Sequence, residues 1–276
     1  MIRKLYPNGK RKAFNITYDD GILQDVRFVE LLNKYNLKGT FNLNSELMKQ
    51  EFEWTHPCGM TIKRISEESA VDLYRGHEVA SHSLTHPDLE HLSDEALRYE
   101  LGQDKKYLEE LFGCEVYGFA VPFDYYDERI AECVKQLGFT YGRDSRETYS
   151  YNPPEDYYFW SAGTYHVMPG FREFVEGFFD AEEELAFCQI VGHAYDLDVE
   201  NMWEYMEDYL RRISEDDEIL SMTNIEAIQY LKAIRGAYVS NNFIENNSEL
   251  DLWFEIDGTT LCLKPGEVWK NEVLKK

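Results

Sequence analysis

Leu97, Leu101, Leu108 and Leu111 recur at the helical spacing, with Ser93 before them and Gly113 after them, and predict a helix over residues 93–113. Shorter apolar runs precede and follow it. Residues 12–18 (KAFNITY), 39–44 (GTFNLN), 77–81 (HEVAS), 116–121 (VYGFAV), the FTYGR segment, 189–192 (QIVG) and 217–223 (DEILSMT) read as strands. Residues 25–36, 66–76, 127–138, 171–188, 199–214 and 224–236 read as helices between and after them. Strands that alternate with helices build parallel βα units. Roughly seven units predict an α/β fold, a closed or nearly closed (β/α) barrel. The tail breaks the rhythm. In LWFEIDGTTLCL, residues 252–263, Asp257-Gly258 separates two strand-like runs, a hairpin signal. The chain therefore divides into a barrel over residues 1–236 and a small C-terminal β extension over 237–276, packed on it.

Composition narrows the function. The 276 residues suit one α/β barrel, and 43% hydrophobic residues suffice for a large core. The net charge of −24 argues against nucleic acid, anionic membrane surfaces and polyanionic substrates, which need a basic footprint. Aromatic residues reach 15%, which serves core packing, stacking on sugar faces and the interface of a homo-oligomer. Five cysteines, an odd number without a CxxC pair, predict free thiols. There is no secretory signal behind the basic N-terminus and no apolar run of membrane-spanning length, so the expected location is cytoplasmic.

Active sites of such barrels lie at the C-terminal ends of the strands. The polar residues that follow the predicted strands are Asp19 and Asp20, then His82 and His86, then His193. At i and i+4 on one helical turn, His82 and His86 face one side and can hold one metal ion; ordinary capping or surface histidines share that spacing. Two His and one carboxylate make an open metal site. Adjacent strand residues point to opposite faces, so the Asp19-Asp20 pair needs an explanation. A turn with Gly21 is one. The other is a division of labour, in which one aspartate ligates the metal and its neighbour takes a proton from metal-bound water. His193 is then the candidate acid for the leaving group.

Together TYDDG, SHSLTH, a strand ending in VPF and a late strand ending in GH resemble the polysaccharide deacetylases, carbohydrate esterase family four, also called the NodB-homology domain. The resemblance spans residues 12–236. It implies a distorted (β/α) barrel that removes N- or O-linked acetyl groups from carbohydrates with a divalent metal. Zinc is the default, with cobalt, nickel or manganese as alternatives. It implies that Asp20, His82 and His86 hold the metal, that Asp19 is the general base and His193 the general acid. It also implies that the Phe123 N–H, after Pro122, stabilises the oxyanion. Substrates in the family are chitin oligomers, peptidoglycan and acetylated xylan, and some relatives cleave C–N bonds in small ureides and imides.

The chain departs from the family pattern in two places. Ala120 stands in the region where the family often has an arginine; Arg143, at another strand end, is the expected substitute, and a salt-bridged rim arginine is the alternative. The fourth motif aligns best on YYFWSAGTYH, residues 157–166, where Trp160 would line the acetyl pocket and His166 would contact substrate. His77 caps or packs, His56 and His91 fall in loops, and Asp196 either orients His193 or begins a helix. Three other readings remain: a C–N hydrolase of the same fold acting on a small cyclic amide or ureide, a non-hydrolytic Fe(II) enzyme, and a dead sugar-binding relative. Asp19 and His193 count against the second of these, and the apparently complete residue set counts against the third.

Overall fold

The computed structural model describes residues 1–271, so the last five residues of the predicted extension lie outside the described residues. Eight parallel strands carry the fold: β1 (Lys12–Asp19), β2 (Thr40–Leu43), β3 (Glu78–Ser81), β4 (Gly118–Ala120), β5 (Tyr141–Arg143), β6 (Thr164–Tyr165), β7 (Ala186–Gly192) and β8 (Ile219–Ser221). They run in the order β5-β4-β3-β2-β1-β7-β6. Residues 157–165 close the ring, because Trp160 bridges in parallel to Arg143 of β5 before β6 pairs with β7. β8 pairs with the first half of β1 and β2 with the second half, so two short strands share one edge. The barrel is distorted there, as the family resemblance implies.

Nine helices are named in the described chain: α1 (Asp25–Lys34), α2 (Ser45–Lys49), α3 (Glu67–Leu73), α4 (Asp94–Phe112), α5 (Glu128–Gln136), α6 (Phe171–Gly177), α7 (Ala194–Val199), α8 (Trp203–Glu215) and α9 (Asn224–Gly236). Their limits follow from local chemistry. The Ser93 hydroxyl accepts from the Ala96 N–H at the start of α4, and Gly113, with φ 65°, ends it. A capping box, Thr223 with Glu226, starts α9.

β1 shows how the layers are sorted. Phe14, Ile16 and Tyr18 join the apolar cluster under the helices. Asn15, Thr17 and Asp19 meet Gln189, Asn42 and Arg143 inside the barrel. The lumen is thus polar and hydrogen-bonded, which orders the side chains that reach its upper rim.

Two predicted elements differ. The helix over 171–188 stops at Gly177, and Ala186, Phe187 and Cys188 open β7, all of whose residues are buried. An apolar run buried on both faces lacks the alternation that marks a strand. The helix over 199–214 begins only at Trp203; a separate short helix, Ala194–Val199, precedes it, and Asn201, with φ 51°, lies in the break. In the tail, Leu252–Ile256 and Thr259–Leu263 form the predicted hairpin, with Asp257 and Gly258 both at positive φ. Its outer partner is the N-terminal strand Ile2–Leu5. Leu252, Phe254 and Leu263 pack in one buried cluster with Ile228, Leu231 and Ile234 of α9, which carries about 1.5–3 kcal/mol per large side chain.

Candidate active site

The ends of β1, β3 and β7, with the loop after β4, surround a cleft of about 640 Å³ lined by Asp19, Asp20, His82, His86, Phe123 and His193. Asp19 ends β1 and faces the lumen. Asp20 follows with φ 86° and Gly21 with φ 62°. This left-handed turn, costing roughly 1–2 kcal/mol for a residue with a Cβ, brings two adjacent carboxylates into one cleft instead of onto opposite faces. The Asp20 N–H donates to the Asn42 carbonyl at 3.0 Å, and a buried Arg64 donates to the Asp20 carbonyl, so the turn is held from both sides.

His82 and His86 converge by a different route from the predicted helical turn. The segment after β3 is a loop, with Ser83 at φ 68° and His86 at φ 57°. Pro87 disfavours a helical His86, and the Asn44 amide donates to the carbonyls of His82 and Ser83, which fixes the loop. The two rings lie 4.8 Å apart, edge to face.

Asp20 Oδ1 is 3.8 Å from His82 Nε2 and 3.6 Å from His86 Nε2. His82 Nδ1 is 2.8 Å from the Ala120 carbonyl, which fixes the proton on Nδ1 and leaves the Nε2 lone pair facing Asp20. Asp20 Oδ1 is buried and has no hydrogen-bond donor. Burial holds His82 and His86 below the usual imidazole range, His86 at about 4, so both are neutral. Burial alone would raise the Asp20 carboxyl, but the charges of Arg64 and His193 more than offset it and keep it ionised. Two imidazole lone pairs and a carboxylate oxygen that accepts no hydrogen bond therefore converge within 4.8 Å, with Arg64 Nη1 2.8 Å from that oxygen. This donor set fits a divalent cation.

Asp19 lies beside it. Its Oδ1 accepts from the Asn42 amide at 2.8 Å and from Arg143, which is 0% exposed and also reaches Thr17 Oγ1 at 3.3 Å. Burial pushes the Asp19 carboxyl up; Arg143, with His193, outweighs burial and leaves it below the usual range. Arg143 thus contacts the carboxylate from β5, where it is the register partner of Ala120 on the neighbouring β4.

On the far side of the cleft His193 Nε2 is 3.8 Å from Asp20 Oδ2. Its Nδ1 lies 3.1 Å from Asp196 Oδ2 and 2.9 Å from the Tyr165 hydroxyl, which itself donates to Asp196 at 2.5 Å. Burial lowers the His193 pKa, but Asp196, Asp20 and Asp19 raise it to about 9. Tyr195 stacks on this ring at 5.0 Å. Phe123 stands across the cleft, 67% exposed, with its ring 4.6 Å from His86, while Pro122 is buried beneath it.

Two predicted contacts are elsewhere. Trp160, 3% exposed, packs on Tyr141 and Phe187 and borders a separate hollow of about 270 Å³ with Gln189 and Gly163, so it does not line the cleft. His166, 1% exposed, lies behind the cleft with Nδ1 2.8 Å from the Tyr18 hydroxyl. The β6 alternation turns Tyr165, not His166, toward His193. Arg64, Asn42 and Trp54 escaped the sequence reading. Arg64 and Trp54 sit on or beside a hairpin, Glu53–Thr55 and Thr61–Lys63, and the turn residues His-Pro-Cys-Gly between its strands are the signal that could have found it. All five thiols are free.

Residues 7–142 match the family model for polysaccharide deacetylases. Chitin deacetylase 1 of Cryptococcus neoformans var. grubii is 24% identical over 131 residues, 47% of this chain; the match spans 25% of that protein's length. The carbohydrate esterase domain of a multidomain xylanase from the hindgut metagenome of Trinervitermes trinervoides superposes with a TM-score of 0.53 at 17% identity, over 81% of this chain and 92% of that one. Puue allantoinase superposes with a TM-score of 0.61 at 11% identity, over 81% of this chain and 91% of that one. At these identities the superpositions speak to fold alone. Among the described residues no helix is long and apolar enough to cross a membrane.

Proposed function

The chain is a divergent member of the polysaccharide deacetylase family, and on that premise we propose that it is a metal-dependent hydrolase that removes acetyl groups from a carbohydrate. One observation carries the reading. An ionised Asp20 oxygen that accepts no hydrogen bond faces two neutral imidazoles, with a second ionised carboxylate on one flank and a protonated imidazole on the other. In this reading Asp20, His82 and His86 hold the ion. A divalent cation there supplies a Lewis acid for the acetyl carbonyl and lowers the pKa of bound water.

The remaining work falls to the chain. Asp19, kept ionised by Arg143 and fixed by Asn42, accepts a proton from the attacking water. The Phe123 N–H is the donor for the developing oxyanion. His193, charged at neutral pH, gives its Nε2 proton to the leaving nitrogen or oxygen, while Asp196 and Tyr165 hold Nδ1 and thereby the ring's orientation. Phe52, Trp54 and Tyr195 form an aromatic wall on the same cleft, which suits the apolar face of a sugar ring.

The test is acetate release from N-acetylglucosamine oligomers, acetylated xylo-oligosaccharides and mono-acetylated sugars, with zinc or cobalt and with a chelator. Metal-dependent release supports the reading, and the responding substrate names the sugar. No release from a metal-loaded protein overturns it in favour of hydrolysis of a small cyclic amide or ureide.

A further inference from the structure

The hairpin inserted between β2 and β3 delivers a cation into the carboxylate side of the cleft. Arg64 follows its second strand and is 4% exposed. Arg64 Nη1 lies 2.8 Å from Asp20 Oδ1, the same oxygen that faces His82 and His86. The N–H itself points elsewhere, to the Asp20 main-chain carbonyl. The group is not a loose side chain. Its backbone bridges to Ile22, and its guanidinium lies 5.1 Å from the Trp54 ring centroid. That ring in turn packs edge-on against Tyr195 at 6.0 Å.

The charges around the donor set then cancel. Asp19 and Asp20 bring two negative charges, and Arg143 and Arg64 bring two positive ones, with His82 and His86 neutral and the charged His193 paired with Asp196. Two imidazoles and one carboxylate ordinarily present one negative charge to a divalent ion. Here that charge is already partnered at the ligating oxygen, in a buried setting where screening is weak.

We propose that Arg64 is a resident counter-cation that competes with the divalent ion for Asp20, so that the centre binds metal weakly and exchanges it, and fills only when free metal is abundant. The inference rests on the metal-hydrolase reading above. A neighbour that hydrogen-bonds a ligand usually strengthens metal binding, and its loss costs affinity. Arg64 differs because its N–H does not hold the ligating oxygen. The Asp20 backbone also keeps its bond to Asn42, and Gly21 keeps its bond from Ile65 at 2.8 Å, without Arg64. Its charge is what the metal meets.

The test is a titration of apo protein with cobalt(II) or zinc against a chromophoric chelator, with the cobalt absorption spectrum as a report of ligand geometry. Arg64→Gln should bind at least tenfold more tightly than the wild-type protein with the same cobalt spectrum, and Arg64→Lys, which keeps the charge, should stay within threefold of it. Equal or weaker binding by Arg64→Gln overturns the proposal, as does equal tightening by both variants. If a thermal melt shows that Arg64→Gln does not fold, Arg64→Met, which keeps an unbranched stem without the charge, is held to the same tenfold gain. Failure of every protein to bind metal removes the metal-hydrolase reading itself and this inference with it. Wild-type binding without a gain in the variant removes this inference alone.

Discussion

Arg143 is the residue whose replacement tests the site's electrostatics most sharply. It is fully buried, and its guanidinium meets Asp19 Oδ1 and Thr17 Oγ1. Unit charges about 4 Å apart at an effective dielectric near 20 attract by roughly 4 kcal/mol. Removing one member of a buried pair strands the other and costs about 3–5 kcal/mol. Arg143→Met keeps most of the volume and removes the charge, so the whole of that cost should appear. In a chain of this size each kcal/mol moves the melting temperature by about 2–4 °C, which predicts a fall of roughly 6–20 °C. Asn42 still donates to Asp19 at 2.8 Å, so the carboxylate is displaced but not lost. The expected drop in kcat/KM for acetate release is about 10–100-fold, with metal content unchanged. Arg143→Lys, which keeps the charge but not the planar fork, should recover part of the stability and less of the activity. The paired assay is a thermal melt and a metal-saturated acetate-release rate on each protein. Wild-type melting and wild-type rate in Arg143→Met would refute the reasoning.

Glu78 predicts a pH effect on stability. Burial raises its carboxyl to about 7, against an ordinary 4.5, even though Tyr141, Thr40 and the Ile225 N–H donate to it. A carboxyl with a raised folded-state pKa is best tolerated below its unfolded value, and stability is lost as the pH climbs from there through about 7, by roughly 3 kcal/mol. Glu78→Gln should flatten urea-derived stability between pH 5 and 7, and an unchanged slope would exclude Glu78 as its source. Gly192 permits a close approach: a Cβ there would sit 2.3 Å from the His166 ring. Gly192→Ala should lower stability by about 1–3 kcal/mol and slow turnover through the neighbouring His193, read by melting and by kcat; wild-type values for both would show that His166 moves freely. Trp54→Ala should raise KM for acetylated oligosaccharides while leaving the metal-dependent hydrolysis of a small acetyl ester unchanged, and a fall in both would mean that Trp54 acts through Arg64 instead.

Much of the barrel is legible because local signals and global pattern agree. The Ser93 and Gly113 limits of α4 and the Asp257-Gly258 turn are chemistry of neighbouring residues. The strand over residues 186–192 is legible only in its second half, 189–192, because Ala186, Phe187 and Cys188 are buried on both faces and lack the alternation that would separate them from the predicted helix. At the site, the residues at strand ends could be named, but not how they meet. Asp20 turns inward through a positive φ that a sequence does not display, and His86 does so in a loop where spacing suggests a helix. Arg64 meets Asp20 across 44 positions of chain, through a hairpin whose destination only tertiary packing decides. His166 misses the cleft for a related reason. A one-residue choice of face on β6 sends Tyr165 to His193 and His166 behind it.

The account's central claim is that Asp19 acts on water beside an ion held by Asp20, His82 and His86. It is tested most directly by acetate release from a responsive acetylated sugar, at saturating zinc, by wild-type protein and Asp19→Asn with metal content measured on both. The account predicts equal metal in the two proteins and a loss of at least 100-fold in rate for Asp19→Asn. Wild-type rates from a metal-replete Asp19→Asn protein would contradict it.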